Sequence, residues 1–187
     1  MSIGGGPIFG QSGAMLRYAG RLGDGALYPM DPASQLKVDI VLGLAGDFAK
    51  AWMPCLYMGM RPTVFGYPED MDAAEKGALV ERLRTGFVRN KLPELLGYYA
   101  KHLAEHGGDA FFCGARPTIA DCFILPQLRA FQRGHIDYVP VTVLDKYPAI
   151  TGWIKRMMAI PAVEAWYQKQ AERKAAKEAA KAAAAQN

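Results

Sequence analysis

Gly114-Ala115-Arg116-Pro117-Thr118-Ile119-Ala120-Asp121 is the stretch that decides the fold. Proline cannot continue a helix from upstream, and the threonine after it carries the short hydroxyl favoured at a helix N-cap. Asp121 stands three residues later, so the pair can cap reciprocally: the hydroxyl accepts from the amide of residue 121 and the carboxylate reaches back to the amide of residue 118. Aspartate replaces the commoner Glu or Gln, and its charge suits the positive end of the helix. A helix therefore begins here, with Ile119, Phe123, Ile124, Leu128 and Phe131 at helical spacing and Pro126 expected to kink it.

The same period dominates upstream. Leu79, Leu83 and Phe87, then Leu92, Leu96, Tyr99 and Leu103, recur at three- to five-residue steps from Asp72 onward. Pro93 is expected to bend this run, and Gly107-Gly108 to end it. An earlier long helix is predicted from about 33 to 53, where Pro54 should stop it. Before it, Ser12 is the expected N-cap of a helix to about residue 21, preceded by one short strand at Ile8-Phe9. Downstream, Val143-Leu144-Asp145 should form a helical turn before Pro148, and Ile150, Trp153, Ile154 and Met157 mark a further core helix. The segment 171–187 is rich in Ala and Lys, strongly helix-forming, and lacks a large apolar face.

At 187 residues the chain can bury one substantial core. It is 51% hydrophobic and 21% charged, with no run of 18 apolar residues that could cross a membrane. No basic stretch followed by an apolar one marks the start, and Cys55, Cys113 and Cys122 are too few for a disulfide framework. Both features lead to an expectation of a reducing, cytoplasmic setting. The net charge is +4, and the 171–187 segment supplies half of it, with four cations against two anions. The remaining charge is mixed in sign, so nucleic acid is not an expected partner.

The capping segment in its wider setting, Gly-x-x-Pro-Thr-x-Ala-Asp late in an all-helical body, resembles the buried capping box of the glutathione S-transferase C-terminal domain. Three more stretches resemble the sigma class of that family: Gln11-Ser12-x-Ala14-x-x-Arg17-Tyr18, Lys37-Val38-Asp39 leading to Asp47-Phe48, and Tyr147-Pro148 with Ala159-Ile160-Pro161-Ala162-Val163-x-x-Trp166. The resemblance implies an all-α fold, the family's C-terminal helical bundle, preceded by a one-strand, one-helix remnant of a thioredoxin-like domain. The corresponding divisions are 1–26 for the remnant, 27–170 for the bundle and 171–187 for the tail.

By the same resemblance, Gln11 and Ser12 would contact the γ-glutamyl end of glutathione, and Asp47 would reach across a dimer to its amino group. Trp52, Met53 and Tyr57 would line the pocket for an apolar electrophile. Each has a plainer reading: Ser12 as a helix cap, Asp47 as a solvated helix residue, the aromatics as core. Thr118 and Asp121 are structural in either case. The family's catalytic Tyr, Ser or Cys lowers the thiol pKa of glutathione from the start of the thioredoxin-like domain. No residue here matches it, so no catalytic residue is assigned.

The expected co-substrate is glutathione and no metal is expected. Gly5-x-x-x-x-Gly10-Gln11-Ser12 imitates a phosphate loop but lacks its lysine, and His102-x-x-Glu105-His106 imitates a zinc motif without a third ligand. Two classes of function stay open. One is glutathione-dependent conjugation or isomerisation, with the catalytic segment expected to be missing from this chain. The other is a non-catalytic helical scaffold or protein-interaction module, with a homodimer or larger assembly as its setting.

Overall fold

The computed structural model describes residues 2, 4–6, 8–107 and 109–184, with backbone only at 183. It is all-α: α1 (Ser12–Gly20), α2 (Pro32–Met60), α3 (Ala73–Gly86), α4 (Leu92–Ala104), α5 (Ile119–Ala130), α6 (Pro148–Met158) and α7 (Pro161–Ala184). Two compact units divide it, Met1–Trp153 and Ile154–Asn187. No named strand forms among the described residues. Where Ile8-Phe9 was expected to be one, a single antiparallel bridge joins Ser2 and Ile8. Pro7 and Gly108, both used in the sequence reading, lie outside the described residues.

In the first unit, α2 packs against α3, α4 and α5. Its buried residues, Val38, Val41, Ala45, Phe48, Cys55 and Met58, fall at helical steps along one face. Asp31 caps its start, its Oδ1 accepting from the Ser34 amide at 2.8 Å, with Pro32 in the first turn where a missing N–H costs nothing. The helix does not stop at Pro54 but runs on to Met60. An interior proline costs about 3 kcal/mol in isolation. Here the turns beyond it are held by burial of Cys55 and Met58, and by Arg84 Nε donating to the Cys55 carbonyl at 3.1 Å.

From Ala73 to Ala104 the backbone stays helical through a wide π-turn, Phe87–Lys91. Pro93 explains it. Its ring would clash with the carbonyl four residues back, and it has no N–H to give that carbonyl. A wider turn just before α4 relieves both constraints without breaking the helix.

Asp121 organises the rest of this unit. Its side chain is fully buried and accepts four hydrogen bonds. Oδ2 takes the Thr118 amide at 2.8 Å and the Thr118 hydroxyl at 3.0 Å. Oδ1 takes the Phe112 amide at 3.1 Å and the Trp153 indole at 2.9 Å. The reciprocal cap expected from sequence is present, and the same carboxylate ties α5 to the 111–114 turn and to α6. Burial pushes the Asp121 carboxyl above its usual range, while the Thr118 amide and the Trp153 indole pull it back.

The short α1 is docked, not loose. Gly20 is buried so closely that a Cβ there would lie 2.5 Å from Ile119 Cγ2 and 2.9 Å from Tyr28 Cβ. Arg17 Nε donates to Asp39 Oδ1 at 3.0 Å, and the Tyr28 hydroxyl donates to Asp39 Oδ2 at 3.1 Å. Ser12 does not cap α1. It is the first helical residue, preceded by Gln11 at φ 65°, and no side chain caps this end. The left-handed Gln11 backbone turns its carbonyl onto the Ala14 and Met15 amides at 3.0 and 3.1 Å, which does the work expected of the serine.

In the second unit, α7 is one continuous helix from Pro161 through the Ala/Lys-rich segment. Trp166 and Tyr167 meet edge to face at 4.8 Å, and Lys174 pairs with Glu178 at 3.6 Å one turn apart. Such a solvated pair adds only about 0.3–0.5 kcal/mol, so intrinsic propensity carries this helix.

Asp121→Asn should lower stability by about 3 kcal/mol and the melting temperature by roughly 6–12 °C, because an amide nitrogen would face two donors from Thr118. Thermal denaturation followed by circular dichroism measures it. Gly20→Ala should cost about 1–3 kcal/mol by the same assay, because the added methyl meets packed side chains.

Candidate functional site

A groove of about 1000 Å³ runs along the C-terminal half of α2. Trp52, Met53 and Tyr57 line one side from that helix, and Val80 and Arg84 another from α3. Phe123, Pro126 and Gln127 of α5 face them, and the 135–138 segment closes one end. Packed rings make the α2 wall rigid. The Trp52 ring lies 4.9 Å from Phe87 and 5.0 Å from Phe131, and Phe48 behind it touches Phe87, Tyr99 and Phe131 at 5.8–6.2 Å. Such pairs add roughly 0.5–1.5 kcal/mol each beyond the area they bury.

The groove is apolar except at a few points. Arg84 is only 7% exposed, an unusual place for a guanidinium. Its Nε donates to the Cys55 carbonyl at 3.1 Å, and its Nη1 to the Asp137 carbonyl and Oδ2 at 3.2 and 3.3 Å. One side chain thus fastens the 135–138 wall to α2 and α3. The next residue, Tyr138, has φ 61°, a strained value for a bulky residue. Gln127 Oε1 is buried without a hydrogen-bond partner, and Lys76 stands half-buried on the α3 side.

The sequence-derived candidates separate into two places. Trp52, Met53 and Tyr57 come together on the groove wall. Gln11 and Ser12 sit exposed at the start of α1, and Asp47 is exposed on α2, 3.6 Å from Lys50. None of these three lines the groove. The Asp39 anchor of α1 lies thirteen residues before Trp52 on α2, roughly 20 Å at the helical rise. Burial, and then the charge of Asp47, push the Tyr99 phenol up. Thr118 and Asp121 form the structural cap described above.

Sequence reasoning missed Arg84, Gln127 and the 135–138 wall. The apolar period marks Leu79, Leu83 and Phe87, yet Val80 and Arg84 are buried beside them while Leu83 is only partly covered. The one available signal was Val80-x-x-x-Arg84 flanking that stripe. Among the described residues no group of three His, Cys, Asp or Glu is placed to hold a metal ion. His102 Nδ1 lies 3.5 Å from Glu105 at the end of α4. No described helix is long and apolar enough to cross a membrane.

The cysteines are poor nucleophiles. Burial pushes the Cys55 thiol up to about 11 despite the opposing charge of Arg84. Burial, then the charge of Asp121, push Cys113 up to about 11 as well.

The profile described as glutathione S-transferase, C-terminal domain, matches residues 65–170. No curated protein matches the sequence significantly. Among solved structures, the Pi-class glutathione S-transferase of Onchocerca volvulus superposes with a TM-score of 0.65 at 22% identity, over 88% of this chain and 66% of that one. The glutathione S-transferase of Ascaris lumbricoides gives 0.64 at 22% identity, over 88% and 70%. Rat hPGDS, solved with a quinoline, gives 0.61 at 23% identity, over 86% and 67%. The chain thus spans about two thirds of the length of these structures, and the likeness establishes the fold without separating one class from another.

Iodoacetamide should alkylate Cys55 and Cys113 slowly in the folded chain at pH 8, where about a thousandth of each is thiolate. The rate should rise about tenfold per pH unit until the pH nears 11, since a raised pKa withholds the reactive form from neutral solution. Peptide mass spectrometry of quenched samples reads this. Rapid alkylation of the folded chain at neutral pH would contradict it.

Proposed function

We propose, for a chain that belongs to the glutathione S-transferase family through its C-terminal domain, that its groove receives the apolar partner of a glutathione reaction. The observation that carries this reading is the grouping of Trp52, Met53 and Tyr57 with Phe123 and Pro126 around one cavity of about 1000 Å³. That volume lies at the upper end of the usual range for small-molecule sites, and the lining is mostly apolar with a few polar points, as such sites require.

Gln11, Ser12 and Asp47 are the glutathione-side residues of the proposal, at the exposed start of α1 and on α2. A helix N-terminus with free amides and a nearby hydroxyl suits the α-carboxylate of a γ-glutamyl group. The reaction would be attack of a glutathione thiolate on the electrophile, or a glutathione-dependent isomerisation. Lowering the thiol pKa falls to a Tyr, Ser or Cys of the thioredoxin-like domain in this family. The buried, neutral Cys55 beside the groove is unsuited to replace it. The sigma-like assignment rests on the quoted motifs at 11–18, 37–48 and 147–166.

A second reading has its own support. Leu36 and Ile40 lie one turn apart on α2 and are 62% and 48% exposed. Large apolar residues left open on a packed bundle suit a protein interface, either a homodimer or a scaffold. In that reading the chain binds and does no chemistry.

Trp52→Ala should weaken binding of a neutral apolar probe such as naphthalene by about tenfold, since the indole supplies the largest apolar face of the groove. Isothermal titration calorimetry reads it. Glutathione-dependent turnover of chlorodinitrobenzene by the purified chain supports the enzyme reading. Probe binding with no turnover and no glutathione binding supports the binding-module reading.

A further inference from the structure

Arg84 is the feature of the groove that its packing leaves unexplained. The guanidinium is buried at 7% exposure against an otherwise apolar lining. Its Nε and Nη1 are spoken for, by the Cys55 carbonyl and by Asp137. Its Nη2 makes no hydrogen bond to any described residue. A guanidinium presents five N–H donors in a fixed plane, so two of them remain to be satisfied at Nη2.

The charge is offset only by a solvated partner. Asp137, its ion-pair partner, has a side chain 82% exposed, so water screens that carboxylate while the arginine stays in the interior. Lys76 adds a second cation to the same α3 wall, and it has no ion-pair partner among the described residues. Two cations against one solvated anion leave the α3 wall of the groove positive. Gln127 contributes a third unsatisfied point, a buried amide oxygen without a donor.

A purely hydrocarbon ligand would cover Arg84 Nη2 and the Lys76 ammonium without satisfying them, which costs more than leaving them to water. A carboxylate satisfies Nη2 with a charge-assisted hydrogen bond and takes up the excess positive charge. We propose that the groove selects apolar molecules that end in a carboxylate. The head group sits on Arg84 Nη2, with Lys76 about two turns earlier on the same wall, and the hydrocarbon body lies along Trp52, Met53 and Phe123. This rests on the apolar-groove reading above and narrows it to a class of ligand.

The test uses the full chain and two probes with one body, dansylaminoundecanoic acid and its methyl ester, followed by dansyl fluorescence. The acid should bind about tenfold tighter than the ester. Arg84→Met should erase that preference, the ratio of acid to ester affinity falling to about one. Trp52→Ala should weaken both probes, which places them in the groove. An ester that binds as well as the acid overturns the head-group proposal and leaves the apolar groove standing. No binding of either probe, or no response to Trp52→Ala, overturns both. Should circular dichroism show Arg84→Met unfolded, Lys76→Met decides: a roughly threefold loss for the acid alone supports the proposal, and no change overturns it.

Discussion

The carboxylate of Asp121 is the point on which this bundle turns. It is buried completely, yet each of its oxygens accepts two hydrogen bonds, Oδ2 both from Thr118 and Oδ1 one each from Phe112 and Trp153. A buried carboxylate without partners would be intolerable, and one with four donors is a constraint on everything that supplies them. The α5 start, the Phe112 backbone and the α6 indole must arrive together. Because α1 packs its Gly20 directly against Ile119, the first helix is indexed to the same place.

The consequences run outward through aromatic contacts. Trp153, held by Asp121, lies 4.7 Å from Phe112, which lies 5.3 Å from Tyr99, which stacks on Phe48 at 6.2 Å. Phe48 in turn abuts Phe87 and Phe131, the two rings that flank Trp52. A continuous series of rings therefore joins the structural cap to the wall of the groove. Close-packed interiors have low compressibility and transmit strain, so the cap and the groove wall share one geometry. Arg84 supplies the opposite fastening, with two hydrogen bonds to Asp137 that hold the 135–138 wall and one to the Cys55 carbonyl of α2.

Much of the architecture was legible because it obeys local rules. Thr118 and Asp121 have the right chemistry at the right spacing, and the 79–103 period reads as helix whatever surrounds it. The misreadings fall where a local preference met tertiary packing. Pro54 reads as a stop, and Ser12 as a cap, on intrinsic grounds alone. In the fold, the buried Cys55 and Met58 carry α2 past the proline, and the Gln11 carbonyl takes the amides that the serine was expected to satisfy. Trp52, Met53 and Tyr57 could be marked as one group because they share a helix and its resemblance. Arg84 and Gln127 could not, since a charged or amide residue in an amphipathic run ordinarily faces water.

The sequence by itself determined the all-α class, the family of the bundle and the reciprocal cap at α5, because each depends on residues within a few positions of one another. The tertiary structure alone decided that a 29-residue helix survives its internal proline, that Pro93 is absorbed by a π-turn, and that an arginine is interred beside an apolar groove. The physical reason is the same throughout. Period and capping are properties of short stretches. Burial and hydrogen-bond satisfaction depend on partners such as Cys55 and Asp137, which lie 29 and 53 residues from Arg84 and which only the folded chain brings within reach.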